Sequence, residues 1–400
     1  MNDMLAERRE RAVSTTMWST MRITGYRSLT TIHRWGRPVG DVNGVVAGGV
    51  TEVPIVLVET DGGLTGVGLG AHGDIARVFP ALDGQDPRAV TALYDRMLAF
   101  VFKSGHNGAT FGTIGAHDMA LWDLKAKMAD EPLWQTLGAD DRFVRGYASG
   151  LEYGLGDDEL VGLYEQWAER GYTGAKVKGG LDVNRDAKRL AAVRDVLRVN
   201  SDQPAMMYDV NESWGRHQAV RLARQVEEQV DLTWIEEPVR RWDVPGHRAV
   251  VSGVQAAVAT GENLTGLEQY RQLLDQDAVT VVQAGSVWGI THFLRVSVLA
   301  LGKDLPVSPV AYDANPVAHA AAAVPNHLVT EVQDLEAPVG LTVDQEFTDG
   351  GILLGRSPGL GIEVDEALIA AQRESGAWSA PAGPHVRPAD AGLRLAPRRP

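Results

Sequence analysis

Hydrophobic and polar positions alternate in short runs along the first third of the chain. An alternating run at residues 53–60 is followed by a glycine-rich turn and a second run at 64–69, a pattern that predicts a β-hairpin. Apolar side chains then recur at helical spacing over residues 114–128. Residues 21–140 are therefore predicted to form an α+β domain.

Beyond this region the pattern changes to short apolar strands separated by amphipathic helices. Helices are predicted over residues 185–199 and 217–230. The strands are predicted at residues 174–177, 205–210, 232–235, 256–260, 279–282, 305–308 and 328–330. Strands that alternate with helices indicate a parallel α/β sheet, and seven or eight such units favour a closed barrel over an open sheet.

Composition narrows the class of protein. Apolar residues make up 44% and charged residues 22% of the 400 positions, which is ordinary globular usage and excludes a wholly disordered or fibrous chain. The length predicts two or three domains. The net charge of −14 would repel nucleic acid and anionic membranes, so neither is expected as a partner.

The absence of cysteine removes several kinds of chemistry. Without thiols the chain has no disulfide, no thiolate nucleophile, no zinc-finger site and no iron–sulfur ligand. No apolar run approaches the length of a membrane span, and the first 18 residues contain no secretory core. The expected location is the cytoplasm.

The residues at the carboxyl ends of the predicted strands carry the candidate chemistry, because active sites of α/β barrels lie there. In order they are Lys178, Asp209, Glu236, Glu262, Gln283, Val310 and Glu331. The first four are separated by 31, 27 and 26 residues, about one βα unit each. Carboxylates on three successive strand ends would converge and repel one another, which predicts a divalent cation between them.

Ligation by oxygen alone favours Mg²⁺ over zinc as that cation. The alternative is that these acidic residues are helix caps or solvated loop charges.

Lys176 and Lys178 are two residues apart on one predicted strand, so both side chains point to the same face. Two adjacent ammonium groups are expected to lower each other's pKa, as burial also does, and a lysine with a lowered pKa can act as a base. The alternative, an exposed edge strand with two solvated lysines, fits a closed barrel poorly because such a barrel has no edge.

The combination of these motifs resembles the enolase superfamily, in its mandelate racemase / muconate lactonising enzyme branch. The matching segments of the barrel are Lys176-Val177-Lys178, Asp209-Val210-Asn211, Glu236-Glu237-Pro238, Gly261-Glu262-Asn263 and Glu331. Upstream, Ala120-Leu121-Trp122-Asp123-Leu124-Lys125 resembles the family's interdomain helix, and Thr60-Asp61-Gly62-Gly63-Leu64-Thr65-Gly66 resembles its amino-terminal hairpin. The resemblance spans roughly residues 21–370.

The resemblance implies an α/β fold: a modified TIM barrel, (β/α)₇β, with an N-terminal α+β capping domain. The expected division is a capping domain at 21–140, a barrel at 141–350 and a segment at 351–375 that returns to the cap. Residues 1–20 are expected to form a tail, and residues 376–400, rich in proline, alanine and arginine, a disordered one.

The resemblance also implies roles for individual residues. Asp209, Glu236 and Glu262 would bind one Mg²⁺ that chelates a substrate carboxylate. Lys178 would remove the proton α to that carboxylate, with Lys176 beside it close to a carboxylate oxygen. Glu331 would act as the acid that hydrogen-bonds the resulting enediolate, and Asn211 would approach a substrate hydroxyl or the surroundings of the metal.

One face of the expected site departs from the family pattern. Racemase-type relatives carry a histidine at the end of the seventh strand and an aspartate after the sixth, where this chain has Val310 and Gln283. Racemisation needs a second base on that face, whereas β-elimination of water needs only one base and a proton donor. The expected activity is therefore that of a hydro-lyase that dehydrates a small hydroxylated carboxylate such as an acid sugar.

Two alternatives stay open: a racemase, epimerase or cycloisomerase of the same superfamily, and a non-catalytic barrel that acts as a binding subunit. A replacement for the missing acid could be Tyr312, Asp313 or His319, each of which is also an ordinary structural residue. The glycine-rich loop at 35–50 is expected to be a lid, or else a hairpin loop with no part in binding. Lys103, His106 and Asn107 are further candidates at the mouth of the site, and the protein is expected to be a homo-oligomer.

Overall fold

The computed structural model describes residues 21–70, 73–104 and 107–374. The predicted tails, at 1–20 and 376–400, and the candidate residue His106 lie outside the described residues. No helix within the described ranges is long and apolar enough to cross a membrane.

The amino-terminal part contains a three-stranded antiparallel sheet and a long buried helix. Its elements are β1 (Ile23–Arg34), β2 (Val39–Asp41), β3 (Gly44–Val46), β4 (Val50–Thr60), β5 (Thr65–Leu69), α1 (Ile75–Val78), α2 (Val90–Phe100), α3 (Gly108–Ala129) and α4 (Leu133–Thr136). The sheet order is β1-β4-β5, and the predicted hairpin is formed by β4 and β5. Helix α3 packs closely on β5 because Gly68 has no side chain; a Cβ there would collide with the backbone oxygen of Ala116.

Eight parallel strands and the helices between them follow. The strands are β6 (Phe143–Ser149), β7 (Gly174–Lys178), β8 (Ala205–Asp209), β9 (Trp234–Glu236), β10 (Ala257–Thr260), β11 (Val281–Gly285), β12 (Val307–Val310) and β13 (Thr330–Val332). The helices are α5 (Asp157–Ala168), α6 (Val183–Leu197), α7 (Arg216–Glu227), α8 (Val244–Gly253), α9 (Leu267–Asp275), α10 (Ile290–Leu301) and α11 (Ala318–Ala321). This is the predicted (β/α)₇β arrangement.

The strands close into a ring. Each strand from β6 to β12 pairs in parallel with the next, and β13 pairs with β6. Between β12 and β13 the Ser308 hydroxyl donates to the backbone oxygen of Val329 at 2.8 Å, and the N–H of Leu328 donates to the oxygen of Val307 at 2.9 Å. The prediction of a closed barrel with an α+β cap is confirmed.

The predicted strands differ from the observed ones by one to three residues at their ends; for example, the strand predicted at 232–235 is observed at Trp234–Glu236. The first barrel strand, β6, was not predicted. Its sequence places Arg145 and Gly146 in the middle of the apolar run, which hides the strand pattern.

After the barrel come β14 (Leu341–Val343), β15 (Gln345–Thr348), β16 (Gly351–Leu354), β17 (Ile362–Val364) and α12 (Glu366–Glu374). Residues 351–375 were predicted to return to the cap. Their first strand, β16, pairs antiparallel with β6 of the barrel, and Glu366 forms an ion pair with Arg27 of β1. The division of the chain at residues 140 and 350 stays a prediction.

The inside of the barrel has a floor of packed side chains below its carboxyl end. These side chains are Tyr147, Met207, Trp234, Ala259 and Val281, all buried. Because side chains alternate along a strand, the residue two positions after each floor residue also faces the interior, nearer the carboxyl end. Asp209, Glu236 and Gln283 occupy such positions.

Helix α3 ties the cap to the barrel. Asp118 accepts hydrogen bonds from the backbone N–H of Thr291 at 2.7 Å and from its hydroxyl at 2.5 Å, at the start of α10. The indole of Trp122 donates to the same hydroxyl at 2.9 Å. These buried contacts fix the cap over the barrel.

Candidate active site

The barrel strands place the predicted site residues at one end of the barrel. Lys178, Asp209 and Glu236 are the last residues of β7, β8 and β9. Glu262 follows β10 by two residues, after Gly261 turns the backbone with a φ of 133°. Glu331 lies in the middle of β13, and all of these side chains are buried.

Ion pairs connect the two lysines of β7 to carboxylates from three other strands. The ammonium of Lys176 lies 2.5 Å from Glu236, 2.8 Å from Glu331 and 3.4 Å from Asp209. The ammonium of Lys178 lies 2.5 Å from Asp209. The structure therefore brings both lysines together with Asp209, Glu236 and Glu331.

The expectation that the two lysines have lowered pKa values is wrong for this arrangement. Burial does lower the pKa of each ammonium, but the nearby carboxylates outweigh it, so both pKa values lie above the ordinary range. Glu236 and Glu331 dominate at Lys176, and Asp209 dominates at Lys178. The prediction omitted the carboxylates because they come from other strands.

The carboxylates at the site carry more charge than the lysines balance. They are Asp209, Glu236, Glu262 and Glu331. Two ammonium groups balance only two of these four carboxyl groups when all are ionised; burial raises the pKa of Glu236 to about 8, so without a cation this group takes up a proton at neutral pH. A divalent cation supplies the balancing charge, and oxygen donors suit Mg²⁺.

The pKa values of the individual carboxyl groups are shifted in different directions by this environment. Burial opposes ionisation of Asp209, but the charges of Lys178 and Lys176 outweigh it and lower its pKa to about 2. Burial raises the pKa of Glu262 to about 7. Glu262 accepts a hydrogen bond from the Asn263 amide at 3.0 Å, and among the described residues it has no ion-pair partner within 4 Å. A buried carboxylate of this kind fits a cation ligand.

The carboxylates do not yet converge on one point. Among the described residues, no group of three histidine, aspartate or glutamate side chains is arranged closely enough to hold a metal ion. The reason is that the ammonium groups of Lys176 and Lys178 lie against Glu236 and Asp209, in the place that a cation bound to these carboxylates would take. The donor set fits Mg²⁺, and the roles of the individual ligands stay predictions.

Glu152, in the loop after β6, was missed in the sequence. It is fully buried, its carboxylate accepts the backbone N–H of Lys178 at 2.6 Å, and it also accepts the hydroxyl of Tyr164 at 3.2 Å. Glu152 therefore holds the end of β7 in place. An acidic residue just after a strand was the available signal, but β6 itself was not recognised.

Asn211 lies where the predicted lid meets the barrel. Its backbone has a φ of 42°, and its N–H donates to Asp209 at 2.9 Å. Its backbone oxygen accepts from the side chain of Asn43, between β2 and β3, at 3.0 Å. The side-chain oxygen of Asn211 has no hydrogen-bond partner, so it is free to accept a bond from a substrate hydroxyl.

The opposite wall of the barrel carries neutral residues on β11 and β12. Gln283, predicted to follow its strand, lies in the middle of β11, whereas Val310 is the last residue of β12, and both are buried. Tyr312 and Asp313 follow β12, and Asp313 lies 3.3 Å from His33 of β1. His319 accepts the N–H of Trp134 at 3.2 Å in a buried contact, so it is a structural residue.

Two of the residues predicted at the mouth of the site, both before α3, are described by the structure, and their positions support a role in the site less strongly. Lys103 and Asn107 are both exposed. Asn107 lines a cleft of about 360 Å³ together with Asn263 and Trp288, whereas Lys103 does not.

Two family models match the chain. One, described as enolase C-terminal domain-like, matches residues 159–368, and the other, the mandelate racemase / muconate lactonizing enzyme N-terminal domain, matches residues 45–138.

The chain belongs to the mandelate racemase / muconate lactonizing enzyme branch of the enolase superfamily.

The relatives of this enolase-superfamily chain include dehydratases. It is 32% identical over 333 residues to L-talarate/galactarate dehydratase of Salmonella typhimurium, covering 79% of this chain and 82% of the relative. A crystal structure of L-talarate dehydratase from Polaromonas sp. JS666, complexed with Mg and L-glucarate, is 31% identical, with a TM-score of 0.77, covering 88% of this chain and 97% of that one.

Isomerases occur among the structural neighbours as well. The crystal structure of a racemase from Streptomyces coelicolor with bound magnesium has a TM-score of 0.80 at 27% identity, covering 87% of this chain and 99% of that one. These relatives confirm the predicted superfamily, the magnesium dependence and the hydro-lyase class, with isomerases as the second kind of activity in the family.

Proposed function

We propose that this enzyme dehydrates an acid sugar: it removes the proton α to a carboxylate and eliminates the β-hydroxyl as water. The observation that carries the proposal is the asymmetry of the barrel mouth. Two buried lysines lie on β7, whereas β11 and β12 carry the neutral Gln283 and Val310 on the opposite wall. Elimination needs a base on one face only.

A Mg²⁺ ion bound by Asp209, Glu236 and Glu262 supplies Lewis-acid stabilisation of negative charge on the substrate carboxylate. The chain's own residues do the remaining work. Lys176 is held between Glu236 and Glu331 and keeps its positive charge beside the reacting carboxylate. Glu331, whose carboxylate lies 2.8 Å from that ammonium, holds the Lys176 side chain in this position.

Lys178 is the base. In the structure its ammonium pairs with Asp209, which raises its pKa. If Asp209 held a cation, its charge would stabilise the ammonium less, and the pKa of Lys178 would be lower. The α C–H bond then breaks, its electron pair enters the enediolate, and the proton goes to Lys178 Nζ.

The second half of the reaction returns that proton on the same face. As the enediolate collapses, a carbon–carbon double bond forms, the β C–O bond breaks, and Lys178 donates its proton to the departing hydroxyl to give water. The lysine ends neutral and ready for another cycle. No group on the wall of Gln283 and Val310 is required.

A second candidate is racemisation or epimerisation, which the similarity to a magnesium-binding racemase favours. It would need a proton donor on the wall opposite Lys178. Tyr312, next to the end of β12, is the residue there with an exchangeable proton, and burial raises the pKa of its hydroxyl well above the ordinary value. A neutral phenol of this kind is a poor base for the reverse direction, so dehydration is preferred.

The test is an incubation of the enzyme and Mg²⁺ in D₂O with galactarate, L-talarate, L-glucarate and a set of monocarboxylic sugar acids, followed by mass spectrometry. Loss of one water from a component, abolished by EDTA, is the expected result and names the substrate. Deuterium gain without loss of water would instead establish the isomerase. An unchanged panel under conditions that turn over a known dehydratase of the family would contradict the acid-sugar assignment.

The proposal also covers the enzyme's partner, its oligomeric state and its location. A small-molecule carboxylate is its partner, and a homo-oligomer in the cytoplasm is the expected form. Sedimentation at several concentrations checks the oligomeric state.

A further inference from the structure

Gln283 is the most unusual side chain on the wall opposite the lysines. It is 0% exposed, and neither its amide nitrogen nor its amide oxygen has a hydrogen-bond partner among the residues that the structure describes. Most buried polar side chains in proteins have at least one such partner. A fully buried carboxamide with none therefore needs an explanation.

The position of Gln283 indicates where its amide points. It lies two residues after Val281, a floor residue of the barrel, so it faces the interior on the side of the carboxyl ends. Strand β11 is four places from β7 in the ring of eight, which puts Gln283 across the mouth from Lys178. Ser286, three residues further on, also has a buried hydroxyl without a partner.

Room for a ligand exists next to this wall. Ser286 lines a cavity of about 290 Å³ between the loops after β11 and β12 and the cap; its lining also contains the carboxylates of Glu52 and Asp313, and Gln283 lies outside it. The amide of Gln283 and the hydroxyl of Ser286 are neutral, and each offers both a donor and an acceptor. Neutral groups of both kinds match hydroxyl groups, which also donate and accept, better than a carboxylate, which only accepts.

We propose that Gln283 is a specificity-determining residue that hydrogen-bonds a hydroxyl group of the substrate on the wall opposite Lys178. This inference rests on the proposed function and deepens it, because it explains how a polyhydroxylated acid is distinguished from a plain one. A site that makes hydrogen bonds to a substrate hydroxyl rejects an analogue without it, since the buried amide then stays unpaired.

The first test compares ligands with and without hydroxyl groups. Binding of L-glucarate and of adipate, a six-carbon diacid with no hydroxyls, is measured by calorimetry with Mg²⁺ in a Lys178→Ala background that prevents turnover. Adding Gln283→Leu is expected to weaken L-glucarate binding about tenfold or more and to leave adipate binding unchanged. Equal weakening of both ligands, or of neither, would overturn the proposal.

The second test needs no knowledge of the substrate. If the amide is unpaired in the free enzyme, Gln283→Leu removes a desolvated polar group and raises the unfolding temperature by a few degrees. The matched control is Ser308→Ala on the neighbouring strand, whose hydroxyl is already bonded to Val329 at 2.8 Å. That control is expected to lower the unfolding temperature and to leave the ratio of the two affinities unchanged.

The two measurements separate the possible failures. A lower unfolding temperature for Gln283→Leu would show that the amide is satisfied inside the fold and would overturn the proposal. If the Lys178→Ala protein binds none of L-glucarate, galactarate and L-talarate while it still binds Mg²⁺, the acid-sugar function fails, and the hydroxyl-binding role fails with it. A stability gain together with a selective loss for L-glucarate supports both.

Discussion

At the scale of single residues, the site is organised by which carboxylate each lysine contacts. Lys176 reaches Glu236, Glu331 and Asp209, whereas Lys178 reaches Asp209 alone. Lys176 is therefore the more firmly held positive charge. Lys178 has fewer partners to lose, which suits a group that must release and regain a proton during turnover.

Replacement of Lys178 by methionine is expected to reduce kcat by about 10²–10⁴-fold, because a general base contributes roughly that factor. The measurement is the rate of water loss from the substrate identified in the panel, with the rate of α-proton exchange as a second readout. Both rates fall together if Lys178 removes the proton.

The control is Lys188→Met on the exposed face of α6, which changes the same functional group away from the site. It should leave both rates unchanged. Normal proton exchange in the Lys178 variant would assign the base to another residue.

The sequence was sufficient to identify most of these residues but not their electrostatics. Lys178, Asp209 and Glu236 could be recognised because they end successive strands at nearly regular spacing. The raised pKa of Lys178 could not be predicted, since it depends on a 2.5 Å contact across two strands. Glu152 was missed because its role is to accept a backbone N–H, which leaves no side-chain motif.

At the scale of elements, a histidine of the cap joins two loops of the barrel. His33 of β1 is 3% exposed, with its ring 2.7 Å from Asp334 after β13 and 3.3 Å from Asp313 after β12. The ring also stacks on Trp35 at 4.4 Å. Burial alone would lower the pKa of His33, but the two carboxylates outweigh it and raise it to about 9.

This contact makes the stability of the protein depend on pH. The folded pKa of His33 lies above the ordinary 6.5, so its contribution is fully present below pH 6.5 and is lost as the pH rises through 9. The loss amounts to about 3 kcal/mol. Between pH 6 and pH 10, the unfolding free energy of the wild type should fall by that much more than that of His33→Gln.

Denaturant unfolding at several pH values measures this difference. His217→Gln, at an exposed position at the start of α7, is the matched control and should behave like the wild type. Identical pH profiles for the wild type and His33→Gln would show that the histidine is not charged in the folded protein.

The hairpin of β2 and β3 makes a second contact between cap and barrel. Asn43 at its tip donates to the backbone of Asn211, two residues after Asp209. Asn43→Ala is expected to raise KM by a few-fold with little change in the unfolding temperature, because one partly exposed hydrogen bond of the lid is lost. Steady-state kinetics and thermal unfolding test this, and a large stability loss with unchanged KM would assign the hairpin a structural role only.

How well each strand or helix could be predicted from the sequence depended on how its residues are buried. Most barrel strands after β7 are rich in apolar residues, as parallel strands covered on both sides should be, and they were recognised. Helix α3 begins at Gly108, six residues before the predicted start. The prediction began too late because most residues of the first turns are buried and so show no polar face. Strand β6 carries Arg145 and Gly146 because it also pairs with β16 outside the barrel, which apolar patterning cannot reveal.

At the scale of the whole molecule, the acidic site makes stability depend on a cation. The four buried carboxyl groups exceed the two lysines, and burial raises the pKa of Glu236 to about 8 and that of Glu262 to about 7, so without a cation these groups are wholly or partly protonated at neutral pH. Addition of Mg²⁺ at about 100 times its Kd is expected to stabilise the fold by about 2.7 kcal/mol. Thermal unfolding with MgCl₂ or EDTA measures the effect.

A single variant separates this effect from general salt stabilisation. Glu262→Gln is expected to abolish the magnesium-dependent increase and to raise the unfolding temperature of the metal-free protein, since burial raises the pKa of Glu262 to about 7. KCl at matched ionic strength is the control for the solvent. An undiminished response in Glu262→Gln would remove Glu262 from the set of ligands.

The ion pair between Lys176 and Glu331 determines when the site can form during synthesis on the ribosome. It joins the second barrel strand to the eighth, so the two partners leave the ribosomal tunnel far apart in time. Chains emerge amino terminus first, and this site needs residues from both ends of the barrel. A polypeptide released before β13 therefore lacks both Glu331 and the strand that pairs with β6 to close the barrel.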